Sequence, residues 1–338
     1  MKFAVESLFD AYRSLGVVGV NCVKGLRMQP DVSSVLEVPW PQSDMNEVVD
    51  RFSEEAGPFD YWLKISPGPV PHHQLKTVAN RFIYMPCFES TQMTMWFPDD
   101  VFQDSDIFAC PSHFVKNYLQ FNQPKVIWNH GVDPFNVVLK IESNLNKPLR
   151  ILFAGTLDTR KYGDEFIELF VQAYGHNKDI ELVVKCQPDY NIKIKNYDNI
   201  KFIQQILDKH ALNELYSNCD VFMMPSRGEA FGMMGLDAAA AGLPIITTDW
   251  GGQRDYIGDC IWSRVDYKLI DTPDDGPWRG QWAQPDNDSI INCINEIIDD
   301  RSVLQRGIDN QQNIITKWSW QVTTRRFLNQ LNQLKEYA

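Results

Sequence analysis

The chain has 338 residues, of which 44% are hydrophobic and 22% are charged, a composition that suits a globular protein with two domains. Its formal net charge of −12 argues against a nucleic-acid partner, because duplex binding depends on lysine and arginine side chains that meet phosphates. No apolar run approaches the roughly eighteen residues of a membrane-spanning helix, and charged residues come too early for a secretory signal. We therefore expect a cytoplasmic protein without a transmembrane segment.

Short apolar runs alternate with more polar stretches in the first half of the chain. The runs 16–23, 35–38, 61–65 and 81–85 are typical of strands, and 45–55 is typical of a helix. Strands that alternate with helices favour a doubly wound parallel sheet. We therefore predict an α/β domain in this half.

Glu89 follows the predicted strand 81–85. A carboxylate at the carboxyl end of a parallel strand lies where open α/β sheets bind their ligands. Glu89 is therefore a candidate site residue. The alternative is a helix cap or a surface carboxylate.

Histidines are also candidates for a site in this half. The adjacent His72 and His73 lie in a proline-rich loop, PGPVPHH. They could bind a metal or act in catalysis, but no third ligand lies close in sequence, so a solvated pair is the alternative. His113 lies in the first turn of a predicted helix, and His130 lies in the run VIWNHGVD, where Gly131 permits a tight turn. Whether any of the four histidines faces a ligand is left open.

The second half begins with a predicted strand, Leu149–Ala154, and a glycine turn. Gly155 allows a close approach of the backbone, and Arg160 and Lys161 lie just before a predicted helix. This arrangement is typical of phosphate binding, because a helix N-terminus and two cations neutralise negative charge. A solvated helix start is the alternative. Lys185 ends the next predicted strand and can point to the same edge. The predicted strands of this half are Leu149–Ala154, 181–185, Ile200–Ile203, Val221–Met224 and Ile245–Thr248.

The most informative stretch is VFMMPSRGEAFGMMGLDAAAAGLPIITTDWGGQRDY, residues 221–256. It predicts a strand, a glycine loop, a helix over 233–241 and a second strand. The helix N-terminus near Gly232 is a site for phosphate, and the flanking carboxylates of Glu229 and Asp237 can accept hydrogen bonds from hydroxyl groups. A nucleotide sugar has hydroxyl groups on both sides of a diphosphate and fits this layout.

Later segments give weaker signals. Residues 277–286, with Trp278 and Trp282, are predicted as a loop, and the chain from Asp288 onward is predicted to be helical. The acidic triplets 104–106 (DSD) and 286–288 (DND) could hold a metal, but the first lies at a predicted helix-to-strand boundary and the second lies beyond the predicted core. We therefore predict no metal site.

The run Glu229-Ala230-Phe231-Gly232, an acidic residue eight positions after the glutamate, and the following AAGLP resemble the signature of retaining GT-B glycosyltransferases of family 4. The resemblance implies an α/β fold of two Rossmann-like doubly wound domains that face a cleft, with a C-terminal helix that crosses back. The implied boundaries are 1–146 for the acceptor-side domain, 147–324 for the nucleotide-sugar domain and 325–338 for the helix.

The resemblance also implies roles for individual residues. In the family the first acidic residue, here Glu229, approaches the donor sugar, and the second, here Asp237, holds the nucleotide ribose. Asp237 stands where the family usually has glutamate, and Thr156 stands where it has arginine. The residues implied to bind the donor are Gly155, Thr156, Lys185, Phe231, Gly232, Met233, Met234 and Asp237. The residues implied to act in catalysis are Glu229, Lys161, Arg160 and, on the acceptor side, Glu89.

The implied reaction is metal-independent and retaining. The implied donor is a UDP- or GDP-sugar, with no further cofactor, and the implied acceptor is a glycan, glycoprotein or glycolipid. Two other functions fit the same residues: a non-catalytic GT-B protein that binds nucleotide sugars, and a GT-B-fold sugar-nucleotide epimerase or hydrolase.

Overall fold

The computed structural model describes residues 1–9, 14–39, 58–65, 78–93, 102, 105–143, 148–192 and 197–336. The predicted helix 45–55, His72, His73 and Asp104 lie outside these residues. In the described part, the strands are β1 (Lys2–Ser7), β2 (Ser34–Pro39), β3 (Phe59–Lys64), β4 (Ala79–Tyr84), β5 (Ile107–Cys110), β6 (Lys125–Ile127), β7 (Leu149–Ala154), β8 (Ile180–Lys185), β9 (Ile200–Ile203), β10 (Val221–Met224), β11 (Ile245–Thr248), β12 (Trp262–Val265), β13 (Tyr267–Asp271) and β14 (Gln281–Pro285). The helices are α1 (Ser14–Arg27), α2 (His113–Tyr118), α3 (Gly163–Tyr174), α4 (Lys209–Ser217), α5 (Met233–Ala240), α6 (Asn287–Asp299), α7 (Ser302–Trp318) and α8 (Trp320–Glu336).

The chain divides into two compact units. Unit 1 comprises Met1–Gly131, Pro273–Gly280 and Ser319–Ala338, and unit 2 comprises Val132–Thr272 and Gln281–Trp318. In this division the segment that starts at Val132 is part of unit 2, whereas the sequence predicts a boundary after residue 146. Within that segment the Lys140 ammonium lies 2.8 Å from the Asp220 carboxylate.

Unit 1 contains a parallel sheet with the strand order β2-β1-β3-β4-β5-β6. The strands β3, β4 and β5 are largely buried, as expected when both faces of a parallel sheet are covered. The α/β prediction for this half is confirmed.

Residues 16–23 were predicted as a strand, but they form part of α1. The buried residues Val18, Cys22 and Leu26 recur every fourth residue, which is the period of a helix face. A Cβ atom at Gly25 would lie 2.3 Å from the Thr324 hydroxyl of α8. The helix is therefore fixed by close packing against the other end of the chain.

The last helix packs against the last strand of the unit 1 sheet. The rings of Trp128 and Phe327 stack with centroids 4.0 Å apart. The Gln330 side chain accepts a hydrogen bond from the Ile127 amide and donates one to the Ile127 carbonyl, both at 2.9 Å. Helix α8 thus supplies both apolar and polar partners to β6.

A buried ion pair lies at the carboxyl ends of β1 and β3, where the strand order of unit 1 reverses. Glu6 and Lys64 face each other in the register of these strands, and the Lys64 Nζ lies 2.6 Å from the Glu6 Oε1. The Trp62 indole donates to the second carboxylate oxygen at 3.1 Å. Burial lowers the pKa of Lys64, and the Glu6 charge opposes that shift.

His130 also lies inside unit 1, with only 4% of its surface exposed and its ring stacked on Trp320. Burial lowers the pKa of this imidazole to about 3. The unfolded chain, in contrast, takes up this proton near pH 6.5. Below that pH the unfolded state binds more protons, so the folded state loses stability as the pH falls towards the folded pKa.

We expect His130 to cost the wild-type protein about 2 kcal/mol of unfolding free energy between pH 7 and pH 5. The measurement is urea unfolding at both pH values for the wild type and for His130→Phe, which cannot be protonated. Relative to the free energy of unfolding of His130→Phe, that of the wild type should fall by about 2 kcal/mol from pH 7 to pH 5. Equal pH dependence in the two proteins would show that His130 takes up no proton on unfolding.

Unit 2 contains a second parallel sheet, with the order β12-β11-β10-β7-β8-β9. Residues alternate between its two faces. Phe153 packs against α3 and α6 in one buried cluster, and Leu152 packs with α4, α5 and α7 in another. Helices on both faces confirm the doubly wound prediction. The chain leaves β7 towards β9 and then returns to the other side at β10, so the order reverses between β7 and β10.

Residues 277–286 were predicted as a loop, but they include a strand. β13 pairs antiparallel with β14, and the Trp282 side chain is 1% exposed. The tip of this hairpin belongs to unit 1, where Arg279 forms an isolated β-bridge with Gln92.

Candidate active site

Two loops of unit 2 meet at the carboxyl edge of its sheet. One follows β7 and runs from Gly155 to Tyr162; the other follows β10 and runs to Gly232. β7 and β10 are hydrogen-bonded neighbours at the point where the strand order reverses. Open α/β sheets bind ligands in the crevice outside the carboxyl ends of strands at such a point.

The Glu229 carboxylate is the centre of this edge. Lys161 forms a short ion pair with its Oε1, the Ser226 hydroxyl donates to the same oxygen at 2.7 Å, and the Arg160 guanidinium lies 3.5 Å from Oε2. Burial by itself would raise the pKa of Glu229, but the charges of Lys161 and Arg160 hold it below its ordinary value. Glu229 is therefore an ionised carboxylate at neutral pH.

The backbone of both loops holds these side chains in place. The Arg160 guanidinium donates to the Gly228 carbonyl at 2.8 Å, and the Arg227 amide donates to the Arg160 carbonyl at 2.8 Å. On the other side, the Gly252 amide donates to the Glu229 carbonyl at 2.7 Å. Hydrogen bonds to the backbone of these loops thus hold the segments that carry the carboxylate and its two cations.

Helix α5 begins beside this carboxylate at Gly232, which caps it in the left-handed region with φ of 82°. A Cβ atom there would lie 3.2 Å from the Tyr256 hydroxyl, which donates to the Gly232 carbonyl at 2.7 Å. Glycine adopts the left-handed conformation without strain, and its lack of a Cβ atom leaves room for the Tyr256 hydroxyl. The first turn of α5 therefore brings a partial positive charge close to Glu229 and its cations.

One face of α5 is open and the rest is core. Gly235, Leu236 and Ala238–Ala240 are buried, whereas Met233, Met234 and Asp237 are half-buried. Residues four apart share a helix face, so Met233 and Asp237 line one stripe that begins at the helix N-terminus. The Asp237 carboxylate lies 2.9 Å from the Lys209 ammonium.

The other predicted donor residues are distributed along the same edge. Lys185 ends β8 beside β7, and its carbonyl accepts from the Gly155 amide at 3.0 Å. The Thr156 hydroxyl is bound to Asp158 at 2.7 Å. Phe231 is buried against Tyr256 and Trp318, so its side chain belongs to the core.

The residues predicted in the first half lie in unit 1. Glu89 is half-buried on the segment after β4. His113 is exposed at the start of α2, whose cap is the Ser112 side chain. His130 is buried in the core, as described above.

The sequence interpretation missed three residues of this site. Ser226 directly follows the proline that ends β10, which is a signal that a hydroxyl can lie at the strand end. Lys209 and Arg227 carry no such signal, because their partners are distant in sequence. Arg227 binds the Thr159 carbonyl, Glu165 and Gln284, so it fastens the two loops to β14.

The described residues contain no group of three or more histidine, cysteine or acidic side chains arranged to hold a metal ion. Asp286, in one of the two acidic triplets, caps α6 by accepting from the Ser289 amide at 2.8 Å.

In the same described ranges, no helix combines the length and apolar character needed to cross a membrane.

Comparison with known proteins gives matches that include the candidate site. Residues 139–265 match the family model of group 1 glycosyl transferases. An uncharacterised glycosyltransferase of Methanocaldococcus jannaschii is 25% identical over 241 residues, which are 62% of this chain and 55% of the relative. The chain thus spans about half the length of the curated relatives it matches.

Solved structures match over nearly the whole chain. Sucrose-phosphate synthase from Thermosynechococcus elongatus superposes with a TM-score of 0.67 at 13% identity and covers 100% of both chains. HepE from Anabaena, solved with UDP and glucose, superposes with a TM-score of 0.64 at 12% identity over 98% of this chain and 100% of that one. Residues 139–265 therefore form a glycosyltransferase group 1 domain, and the two units have the parallel-sheet α/β fold of GT-B glycosyltransferases.

Proposed function

We propose that the protein is a retaining glycosyltransferase that moves a sugar from a nucleotide-diphosphate sugar to a hydroxyl group of an acceptor. One observation carries the proposal. In a group 1 domain, an ionised carboxylate, Glu229, is held by Lys161, Arg160 and Ser226 beside the N-terminus of α5.

The positive charges match the departing group. Transfer breaks the bond between the anomeric carbon and the diphosphate oxygen, and negative charge grows on the diphosphate. Lys161, Arg160 and the first turn of α5 supply fixed positive charge at this place, which stabilises the transition state without reorganisation. This charge is our reason to propose a metal-independent reaction.

The carboxylates match the hydroxyl groups of the donor. Glu229 accepts hydrogen bonds from the sugar, and Asp237 accepts them from the ribose. Met233 and Asp237 are four residues apart on one helix face, which is about 6 Å along the axis. A ribose joined to a diphosphate at the helix N-terminus spans such a distance.

Retention follows in this proposal from attack on the same face of the sugar. The acceptor oxygen forms a bond to the anomeric carbon as the diphosphate leaves, and the acceptor proton passes to the leaving phosphate oxygen. HepE was solved with UDP and glucose, so we propose a UDP-sugar as the first donor to test and a GDP-sugar as the second. We further propose that the acceptor is a glycan, a glycoprotein or a glycolipid, and that Glu89 acts on the acceptor side of the reaction.

Thermal unfolding with a panel of nucleotides tests the proposal. UDP, GDP and ADP, each with its common sugars, are added to the whole protein with and without magnesium. A ligand at a hundred times its dissociation constant adds about 2.7 kcal/mol of stability, enough to raise the melting temperature by several degrees. We expect one base to stabilise the protein without magnesium, and its sugar to be consumed when acceptors are added.

Other outcomes separate the rival functions. Binding without consumption of any nucleotide sugar would favour a non-catalytic binding protein. Release of free sugar without an acceptor would favour a hydrolase. A well-folded protein that no nucleotide stabilises would overturn the proposed donor site.

A further inference from the structure

Lys209 is bound to the carboxylate that the proposed function assigns to the ribose. Its ammonium lies 2.9 Å from the Asp237 Oδ2, and the Asp237 side chain is 17% exposed. In the described part of the chain, Lys209 is the one side chain that hydrogen-bonds this carboxylate. One oxygen of Asp237 is therefore occupied, and Oδ1 is left for a ligand.

Lys209 is itself held in a fixed position. It is the first residue of α4, whose cap is the Asp208 side chain. The Lys209 carbonyl accepts from the buried Asn213 side chain at 2.8 Å, and Asn213 also donates to the Asn136 carbonyl. The backbone from which the Lys209 side chain extends is therefore held by side-chain hydrogen bonds.

The surroundings of Lys209 also favour its charged, protonated form. Burial by itself would lower the pKa of this ammonium, but Asp237 and the nearby Asp133 raise it above its ordinary value. A charged donor that stays protonated restrains a carboxylate more strongly than a neutral one does. The Asp237 carboxylate thus has one preferred orientation on the open face of α5.

This restraint has a particular value for an aspartate. Its carboxylate is one methylene nearer to the helix than that of the usual glutamate, so it reaches less far and has less freedom to find a ligand. We propose that Lys209 is a positioning residue that turns Asp237 towards the ribose hydroxyl groups and thereby makes the site select ribonucleotides over deoxyribonucleotides. The inference rests on the proposed function, because it requires a nucleotide at α5.

Selectivity between ribose and deoxyribose tests this role. The dissociation constants of UDP, 2′-deoxy-UDP and 3′-deoxy-UDP are measured by calorimetry for the whole protein, with the GDP series in parallel. The variants are Lys209→Met, which keeps most of the side-chain length but removes the charge, and Lys209→Arg, which keeps the charge. Lys201→Met is the matched control, because Lys201 pairs with Glu181 at 2.6 Å in the same unit.

We expect the wild type to bind the ribonucleotide about tenfold more tightly than at least one deoxy analogue. Lys209→Met should lose about tenfold in affinity for the ribonucleotide and little for that analogue, so that the selectivity disappears. Lys209→Arg and Lys201→Met should keep it. Asp237→Asn provides a second route if Lys209→Met does not fold, and it should lose the same selectivity.

Two results would overturn the inference in distinguishable ways. If the Lys209→Met and Asp237→Asn variants keep the wild-type selectivity, or lose affinity equally for all three ligands, the ion pair only joins α4 to α5. If the wild-type protein binds neither UDP nor GDP, the proposed function fails and the role of Lys209 fails with it.

Discussion

Replacing Glu229 by glutamine is expected to lower the rate of sugar transfer by about a hundredfold or more. Glutamine keeps the shape but removes the charge that holds Lys161 and Arg160 in place. The donor sugar then loses a charged hydrogen-bond acceptor, and the cations near its leaving group lose the ion pairs that fix their positions. Nucleotide affinity should be retained, because the released cations still face the diphosphate. The measurement is release of nucleoside diphosphate at saturating donor and acceptor, with nucleotide binding by calorimetry.

Glu181→Gln is the matched control for this variant. Glu181 also binds two cations, Arg150 at 3.1 Å and Lys201 at 2.6 Å, and it lies near the amino end of β8, away from the site. It should change the transfer rate little. Normal transfer by the Glu229→Gln variant would remove Glu229 from the mechanism, and lost nucleotide binding would show that its main role is to hold the loops.

The second large effect concerns the stability of unit 1. Lys64→Met should lower the free energy of unfolding by about 3–5 kcal/mol, because it leaves the Glu6 charge buried without its cation. The two side chains are 0% and 3% exposed, so water cannot replace the lost partner. The double variant Glu6→Gln/Lys64→Met removes both charges and should recover most of the loss. Urea unfolding followed by tryptophan fluorescence measures both effects.

Arg27→Met is the control for an exposed pair in the same unit. Arg27 lies 2.8 Å from Glu37, but these side chains are 53% and 44% exposed, so its loss should cost less than about 1 kcal/mol. A double variant as unstable as Lys64→Met would contradict the proposed cause, since it would show that shape and not charge determines the loss.

The strands of unit 2 could be predicted from sequence because local signals define them. The predicted strands at 149–154, 200–203, 221–224 and 245–248 have the same limits as β7, β9, β10 and β11. Each is a short apolar run that ends at a glycine, a proline or a polar cluster. β7, β10 and β11 are largely buried, and parallel strands that are buried on both faces leave this continuous apolar pattern.

Two elements were misread because their partners are distant in sequence. The apolar run 16–23 resembles a strand, whereas the burial of Val18 and Cys22 and the packing of Gly25 against Thr324 of α8 show a helix face. The strand around Trp282 is defined by its pairing with β13 and by the Ala283 amide, which donates to the Arg227 carbonyl at 2.9 Å. A local pattern does not contain these contacts.

Some residues of the candidate site have local signals in the sequence, and others depend on contacts between distant segments. Glu229, Lys161 and Gly232 were predictable, because a glycine loop and a helix start are local features with known chemistry. The pairing of Lys209 with Asp237 joins the first residue of α4 to the open face of α5. It depends on how two helices pack, so no spacing rule in the sequence points to it.

The discontinuous make-up of unit 1 has a consequence for synthesis on the ribosome. Residues 1–131 emerge before unit 2, but the segment that begins at Ser319 emerges after it, and this segment brings Phe327 to Trp128 and Gln330 to Ile127. Unit 2 ends at Trp318, so its whole sequence is available earlier. Unit 1 therefore begins to emerge before unit 2 but is complete only after it, and during this delay its uncovered apolar surface favours aggregation.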